Sequence, residues 1–268
     1  TMPELPEVET IARKLRPALV GRTILSANLR WSRALAAPSP KKFAQQIKGQ
    51  KILDVGRRAK YFILPLSSFT LLIHLRMSGD LHIKPSTNQP GKHDRLIIKL
   101  SGNKSLTFND TRKFGRVWLL ADPAEILGKL GPEPLGKDFT PQWLYAALQR
   151  RRRQLKPLLL DQSFLAGLGN IYADEALNIA KLHPRRESSS VTAKQAERLR
   201  DAICKVLREG IRRNGASIDW VYRGGEFQNH FRAYDREGKP CKNCGVKIIR
   251  VTVGQRGTHF CPNCQRLK

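Results

Sequence analysis

Two Cys-X-X-Cys pairs stand near the end of the chain: Cys241-Lys242-Asn243-Cys244 and, after 16 intervening residues, Cys261-Pro262-Asn263-Cys264. Four thiolates on two such knuckles can surround one ion tetrahedrally, and zinc accepts that geometry without redox chemistry. Protein sulfurs fill every position, so the expected ion is structural, one Zn2+ per chain. It would supply folding energy that so short a module cannot draw from a core. Two disulfides or an iron–sulfur centre are the alternatives for the same residues; clustering of four of the five cysteines at one end favours the metal. The fifth, Cys204, falls on the apolar side of an expected helix and reads as inert core.

Cations with particular neighbours form the second group. Arg256, in Gln255-Arg256-Gly257-Thr258, falls where a hairpin tip between the knuckles would lie, either touching a phosphate or simply solvated. Arg150-Arg151-Arg152-Arg153 with Lys156 is a dense basic cluster. Adjacent residues on a helix point all round, so only some can meet one ligand. Phe164-Leu165-Ala166-Gly167-Leu168-Gly169-Asn170 runs into Ile171-Tyr172-Ala173-Asp174-Glu175, a glycine-containing loop whose helix start offers N–H groups to a phosphate. Asp110-Thr111-Arg112-Lys113-Phe114-Gly115-Arg116 sets an aromatic among cations, which suits insertion into a base stack with phosphate anchoring beside it. Met77, in His74-Leu75-Arg76-Met77-Ser78-Gly79, is a candidate second wedge. The plain alternative for both wedges is core.

The elements that must position these residues can be read from pattern. Val8, Ile11, Leu15 and Leu19 follow helical spacing after Pro6, with Gly21 as the stop. From about residue 23 to 120 the texture is short strand-like runs: Ile52–Val55, Tyr61–Leu66, Leu71–Leu75, Leu96–Leu100 and Val117–Leu120. Leu96–Leu100 and Leu106–Phe108 flank Ser101-Gly102-Asn103-Lys104 as a hairpin. Gly131-Pro132-Glu133-Pro134-Leu135-Gly136 breaks the chain and marks a domain boundary. Thr140 and Pro141 then open a helix, and Thr192-Ala193-Lys194-Gln195 has capping-box form for another that ends near Asn214-Gly215. Residues 140–215 are therefore expected to be helical, with a loop over about 216–235. The arrangement is α+β and multidomain: residues 1–130, 131–233 and 234–268.

Composition narrows the class of partner. The 268 residues carry 49 Lys+Arg against 22 Asp+Glu, a formal charge of +27. Gathered on one face, that excess attracts a polyanion. Hydrophobic content of 40% supports folded cores, and no apolar run reaches the roughly 18 residues of a membrane span. The expectation is a soluble, intracellular, nucleic-acid-directed protein.

Four stretches in matching order carry a family resemblance: Pro3-Glu4-Leu5-Pro6-Glu7-Val8-Glu9-Thr10, Arg58-Ala59-Lys60-Tyr61, Gly169-Asn170-Ile171-Tyr172-Ala173, and the cysteine module. The chain closely resembles the bacterial formamidopyrimidine-DNA glycosylases over nearly its whole length. Leu5 is similar to the purine-lesion branch rather than the endonuclease VIII branch, whose start usually has Gly there. The resemblance implies a β-sandwich with a leading helix, a helix–two-turn–helix domain and a zinc-finger β-hairpin, with DNA in the cleft between. It implies a bifunctional glycosylase and AP lyase removing oxidised purines (8-oxoguanine, formamidopyrimidines) from double-stranded DNA and nicking by β,δ-elimination. By the same resemblance Pro3 is the nucleophile, forming a Schiff base, and Glu4 the general acid. Lys60 assists β-elimination and Arg256 the δ-elimination. Met77, Arg112 and Phe114 fill the gap left by the flipped base, Arg112 facing the orphaned cytosine. His93, Arg151, Lys156 and Asn170 are further DNA contacts, and Gly224 to Phe231 lies where a lesion-capping loop is found. A cytoplasmic monomer associated with the bacterial nucleoid is implied. The alternatives are an endonuclease VIII-like enzyme for oxidised pyrimidines and a non-catalytic zinc-ribbon DNA-binding protein.

The chain departs from that pattern at its start, where Thr1 and Met2 precede Pro3. Within a chain the proline nitrogen is a tertiary amide and cannot form an iminium. Initiation at Met2 and removal of that methionine would expose Pro3, which reads Thr1 as an addition to the natural sequence.

Overall fold

The computed structural model describes residues 2–217 and 224–267. Thr1, and with it the reading of Thr1 as an addition, lies outside the described residues, as do 218–223 of the loop expected over 216–235. The chain forms two compact units, 1–129 with 217–224 and 130–216 with 225–268.

The first unit opens with α1 (Leu5–Leu19), whose Pro6 sits in the first turn, where a missing N–H costs nothing. Its Leu5, Val8, Ile11, Ala12, Leu15 and Leu19 are buried, and Gly21 takes φ +83° beyond its end. Then come β1 (Ile24–Leu29), β2 (Leu35–Ala37), α2 (Pro40–Ile47), β3 (Gly56–Arg58), β4 (Tyr61–Pro65), β5 (Thr70–His74), β6 (Gly79–Pro85), β7 (Asp94–Leu100), β8 (Lys104–Asp110), β9 (Arg116–Leu120) and the short α3 (Ala124–Leu127). One sheet runs β1-β7-β8-β6 and the other β2-β9-β5-β4-β3. Phe62, Leu64, Ile73 and Val117 from the second sheet share one core with Ile98, Leu100, Leu106 and Phe108 from the first, so the sheets form a sandwich. The expected hairpin is β7–β8, registered Leu96↔Phe108 through Leu100↔Lys104.

Two local expectations differ. Ile52–Val55 is no strand; Ile52 makes an isolated bridge to Leu66, and Ile52 and Val55 pack into the core. Residues 40–47, inside the stretch read as strands, form α2 on Phe43 and Ile47, one helical turn apart and both buried. Two anchors among lysines and glutamines are too few to declare a period.

The second unit holds α4 (Pro141–Gln149), α5 (Leu155–Leu160), α6 (Asn170–Ala180), α7 (Ala193–Arg212) and the hairpin β10 (Ile249–Val253) and β11 (Arg256–Phe260). Thr140 caps α4 by accepting from Trp143 N at 3.0 Å, and Thr192 with Gln195 forms the capping box of α7. Between α5 and α6 the chain makes turns held by Gln162. Its amide donates to Leu160 O and Leu168 O and accepts from Gly167 N, each at 2.9 Å. Cys204 is buried on α7 and its thiol donates to Pro134 O; burial pushes it up from the ordinary thiol range, which makes it inert.

Candidate functional site

In the first unit Pro3 and Glu4 are buried at the head of α1. Glu4 is the N-cap and pairs with Glu7 in a reciprocal capping box, its own N–H donating to Glu7 Oε2 at 2.8 Å. That box fixes the direction in which the chain enters the helix, and so where the Pro3 nitrogen sits. Glu9, further along α1, accepts from Arg57 Nε on β3 at 2.8 Å. Arg58 pairs with Tyr61, leaving Ala59 and Lys60 as a two-residue turn with Ala59 at φ +55°. The strand tied to α1 therefore carries Lys60, which is itself buried.

Buried close by is His74, which sequence reasoning passed over. It pairs with Tyr61 across β4–β5 and meets that ring edge-on, with centroids 4.6 Å apart. Burial first, then the charges of Arg76 and Lys60, push its imidazole down to about 3. It is neutral at physiological pH, and its Nδ1 accepts from Arg76 N at 3.0 Å. An imidazole so held orders the β5–β6 turn and does not titrate in the working range.

That turn presents Met77, and the loop after β8 presents Arg112 and Phe114. Met77 is 37% exposed and Phe114 48%, so neither is core. The Arg112 guanidinium lies 4.9 Å from the Phe114 ring centroid, and the Lys113 ammonium 4.2 Å from that of Trp31. Gly79 pairs with Asp110, which puts the two segments at the same end of the sheet. His93, just before β7, accepts Asp110 N through its carbonyl at 2.9 Å. The structure thus gathers Met77, His93, Arg112 and Phe114 at one rim of the sandwich.

The second unit gathers the others around the β10–β11 hairpin. Its tip is Gly254-Gln255, both at positive φ, a tight turn that right-twisted strands accept. Arg256 is exposed on the first strand position beyond that tip. A Cβ on Gly254 would stand 2.7 Å from Pro157, so the tip packs directly against α5. Asn170 Nδ2 donates to Gly257 O at 3.1 Å. Lys156, expected among cations reaching DNA, is wholly buried instead: its ammonium pairs with Asp174 Oδ1 at 2.6 Å and donates to Thr258 Oγ1 at 2.8 Å and Gly257 O at 3.1 Å. Asp174 Oδ2 also accepts His259 N at 2.9 Å. Arg151 follows α4, lies 5.0 Å over the Phe164 ring and donates to Ala147 O.

Glu175, next to Asp174, accepts the N–H groups of Arg232, Ala233 and Tyr234, each at 2.8 Å. Burial pushes its carboxyl up, against the pull of those three donors. Two adjacent acids inside a helix gave no warning of this; the signal available was only that α6 is otherwise apolar apart from Asn170 and Asn178.

The four cysteine sulfurs lie within 4.8 Å of one another, and none is in a disulfide. A tetrahedron with Zn–S of about 2.3 Å has sulfur–sulfur edges of about 3.8 Å, which this cluster can close. Backbone N–H groups of Asn243 and Cys264 point at Cys241 and Cys261 Sγ, each at 3.4 Å, as thiolate ligands require. Behind the second knuckle, buried Gln265 accepts from Asn178 Nδ2 and Cys261 N and donates to Leu182 O. The hairpin's own core is little more than Cys241, Ile248 and Cys261. Cys244→Ser is therefore expected to lose the ion and unfold this hairpin while the β-sandwich stays folded. Metal analysis with amide exchange checks it, and a retained ion with an intact hairpin is the contrary result.

Comparison with known proteins places this geometry. Residues 2–117 match the formamidopyrimidine-DNA glycosylase N-terminal domain, 130–221 its H2TH domain, and 238–267 the zinc finger found in FPG and IleRS. The formamidopyrimidine-DNA glycosylase of Chloroflexus aurantiacus is 48% identical over 98% of both chains, and that of Roseiflexus sp. 46% over 99% of this chain and all of the other. Among solved structures, Lactococcus lactis Fpg in complex with DNA containing an abasic site superposes with a TM-score of 0.93 at 35% identity. The alignment covers 98% of this chain and all of that one. MutM in complex with DNA containing carbocyclic 8-oxo-G superposes at 0.92 and 36%, with the same coverage. No helix among the described residues is long and apolar enough to cross a membrane. The chain, with its sandwich, H2TH domain and one-zinc finger, belongs to the formamidopyrimidine-DNA glycosylase family, the base-excision repair enzymes that act on damaged bases.

Proposed function

We propose that the chain removes oxidised purines, 8-oxoguanine and formamidopyrimidines, from duplex DNA and cleaves the resulting abasic site by β- then δ-elimination. The observation that carries this reading is the Pro3-Glu4 pair buried at the head of α1, on the helix that Glu9 and Arg57 tie to the Lys60 strand. A damaged base must leave the stack before its glycosidic carbon can be reached. A free Pro3 amine attacks C1′ as the glycosidic bond breaks, and the proton the amine sheds ends on the departing base. Glu4 gives a proton to the ring oxygen as the sugar opens, leaving an iminium on the Pro3 nitrogen. Lys60 then assists the β-elimination and Arg256 the δ-elimination, each from a phosphate. Met77, Arg112 and Phe114 occupy the vacated space, with Arg112 toward the opposing base. His93, Arg151 and Asn170 fix the backbone, which positions without specifying. Lys156 serves through the hairpin it supports. Gly224–Phe231, with its 3-10 turn Phe227–His230, is the segment for capping the lesion. The zinc, when bound, holds the hairpin that carries Arg256. The working unit is a monomer in the bacterial cytoplasm.

The test is borohydride trapping on matched duplexes carrying 8-oxoguanine or thymine glycol. A stable adduct formed preferentially with 8-oxoguanine supports the reading. Preference for thymine glycol would move the chain to the oxidised-pyrimidine class, and binding without any adduct would make it a non-catalytic binder.

A further inference from the structure

Asp110 is the residue at which the first unit's rim segments meet. It ends β8, is buried, and turns its carboxylate into the space between the Met77 turn and the Arg112–Phe114 loop. Oδ1 accepts the Ser78 hydroxyl and, at 3.2 Å, Arg112 N; Oδ2 accepts Gly115 N at 2.8 Å. Arg112 N also reaches Ser78 Oγ at 3.0 Å, closing a ring of contacts among the three residues. The backbone of Asp110 is engaged as well: its N–H donates to His93 O, and its carbonyl accepts from Arg95 Nε at 2.7 Å. Gly115 closes the loop tightly, since a Cβ there would stand 2.3 Å from Phe108 and 3.1 Å from Asp110 Oδ2.

We propose that Asp110, with Ser78, is a positioning residue that joins the Met77 turn, the Arg112–Phe114 loop and the His93 loop into one preformed probe of the base opposite a lesion. This rests on the reading given above for Met77, Arg112 and Phe114. The physical reason is that these side chains are half in solvent and cannot be held by burial of their own. Without an internal scaffold their loops would have to be ordered at the moment of insertion, a cost that preorganisation removes. A buried carboxylate is an effective scaffold because each oxygen accepts more than one donor, and charge makes those bonds strong. Asparagine cannot replace it. With its oxygen kept for Gly115 N–H, its amide nitrogen would face Arg112 N–H where Oδ1 now accepts, the Ser78 hydroxyl would have to reverse from donor to acceptor, and the charge that strengthens these bonds would be gone.

The experiment compares single-turnover excision of 8-oxoguanine opposite cytosine and opposite adenine for the parent, Asp110→Asn, Ser78→Ala, Arg112→Ala/Phe114→Ala, and the last combined with Asp110→Asn. Asp110→Asn is expected to lower the cytosine-over-adenine ratio about tenfold, the scale of one lost charge-assisted hydrogen bond. Ser78→Ala is expected to lower it in the same direction by less. In the Arg112→Ala/Phe114→Ala background, Asp110→Asn is expected to change the ratio no further, because its effect passes through those side chains. A ratio within twofold of the parent in Asp110→Asn, or an equal fall in both backgrounds, overturns the proposal. If Arg112→Ala/Phe114→Ala itself leaves the ratio unaltered, the underlying reading of the probe fails, a result separate from either. Thermal melting accompanies each variant. Should Asp110→Asn not fold, Ser78→Ala decides, a ratio equal to the parent's counting against the proposal.

Discussion

Protein that begins at Pro3 is expected to form a borohydride-stable adduct with an 8-oxoguanine duplex, and protein that keeps Thr1 and Met2 is expected to form none. The difference is one of bonding, not degree. With Met2 attached, the Pro3 nitrogen is a tertiary amide whose lone pair is shared with the carbonyl and which has no proton to lose. Released as an α-amine, with pKa about 8, roughly a tenth of it is unprotonated at pH 7. The site is already built around that nitrogen: Pro3 and Glu4 are buried, and the Glu4–Glu7 capping box fixes how they enter α1. Extended protein should still bind lesion DNA, because the cations that meet phosphates are untouched. Intact-mass measurement on the sample that is trapped makes the comparison decisive. Efficient trapping by molecules whose mass includes Thr1 and Met2 would remove Pro3 from the role of nucleophile.

What the sequence disclosed, and what it concealed, follows from the range of the interactions. The Cys-X-X-Cys pairs, the Thr192 capping box and the Leu96–Phe108 hairpin are local devices, and each spacing is itself the signal. The structure has the cluster, the cap and the hairpin there. α2 escaped notice because tertiary packing on Phe43 and Ile47, not a repeated pattern, holds it. The burial of Lys156 was illegible for a similar reason. In Arg150-Arg151-Arg152-Arg153-Gln154-Leu155-Lys156 nothing separates it from its neighbours, and its partners Asp174 and Thr258 lie 18 and 102 positions away. Asp110 stood inside a motif read for its cations, so the carboxylate was overlooked although it organises them. A lone acid between cations at a strand end was the available clue.

Lys156 gives the other large effect. Replacing it by methionine keeps most of the stem's packing but strands Asp174, which is as fully buried as the lysine, without its cation. Breaking a buried pair from one side costs about 3–5 kcal/mol, far above the roughly 0–1 kcal/mol of an exposed pair. Lys156→Met should therefore destabilise the second unit by several kcal/mol, as about that range implies. It should also loosen the hairpin from within, because the Gly257 and Thr258 bonds flank Arg256. Zinc should pass to a chelator faster than in the parent. Adding Asp174→Asn removes the stranded charge while leaving an oxygen for His259 N, and is expected to recover part of the loss. A phosphate-contacting lysine behaves otherwise: its removal would leave melting and zinc release alone, weaken binding to all duplexes and flatten the salt dependence by about one unit. Denaturant unfolding and chelator kinetics, set beside a salt titration, separate the two roles. The support role is rejected if only the salt slope moves.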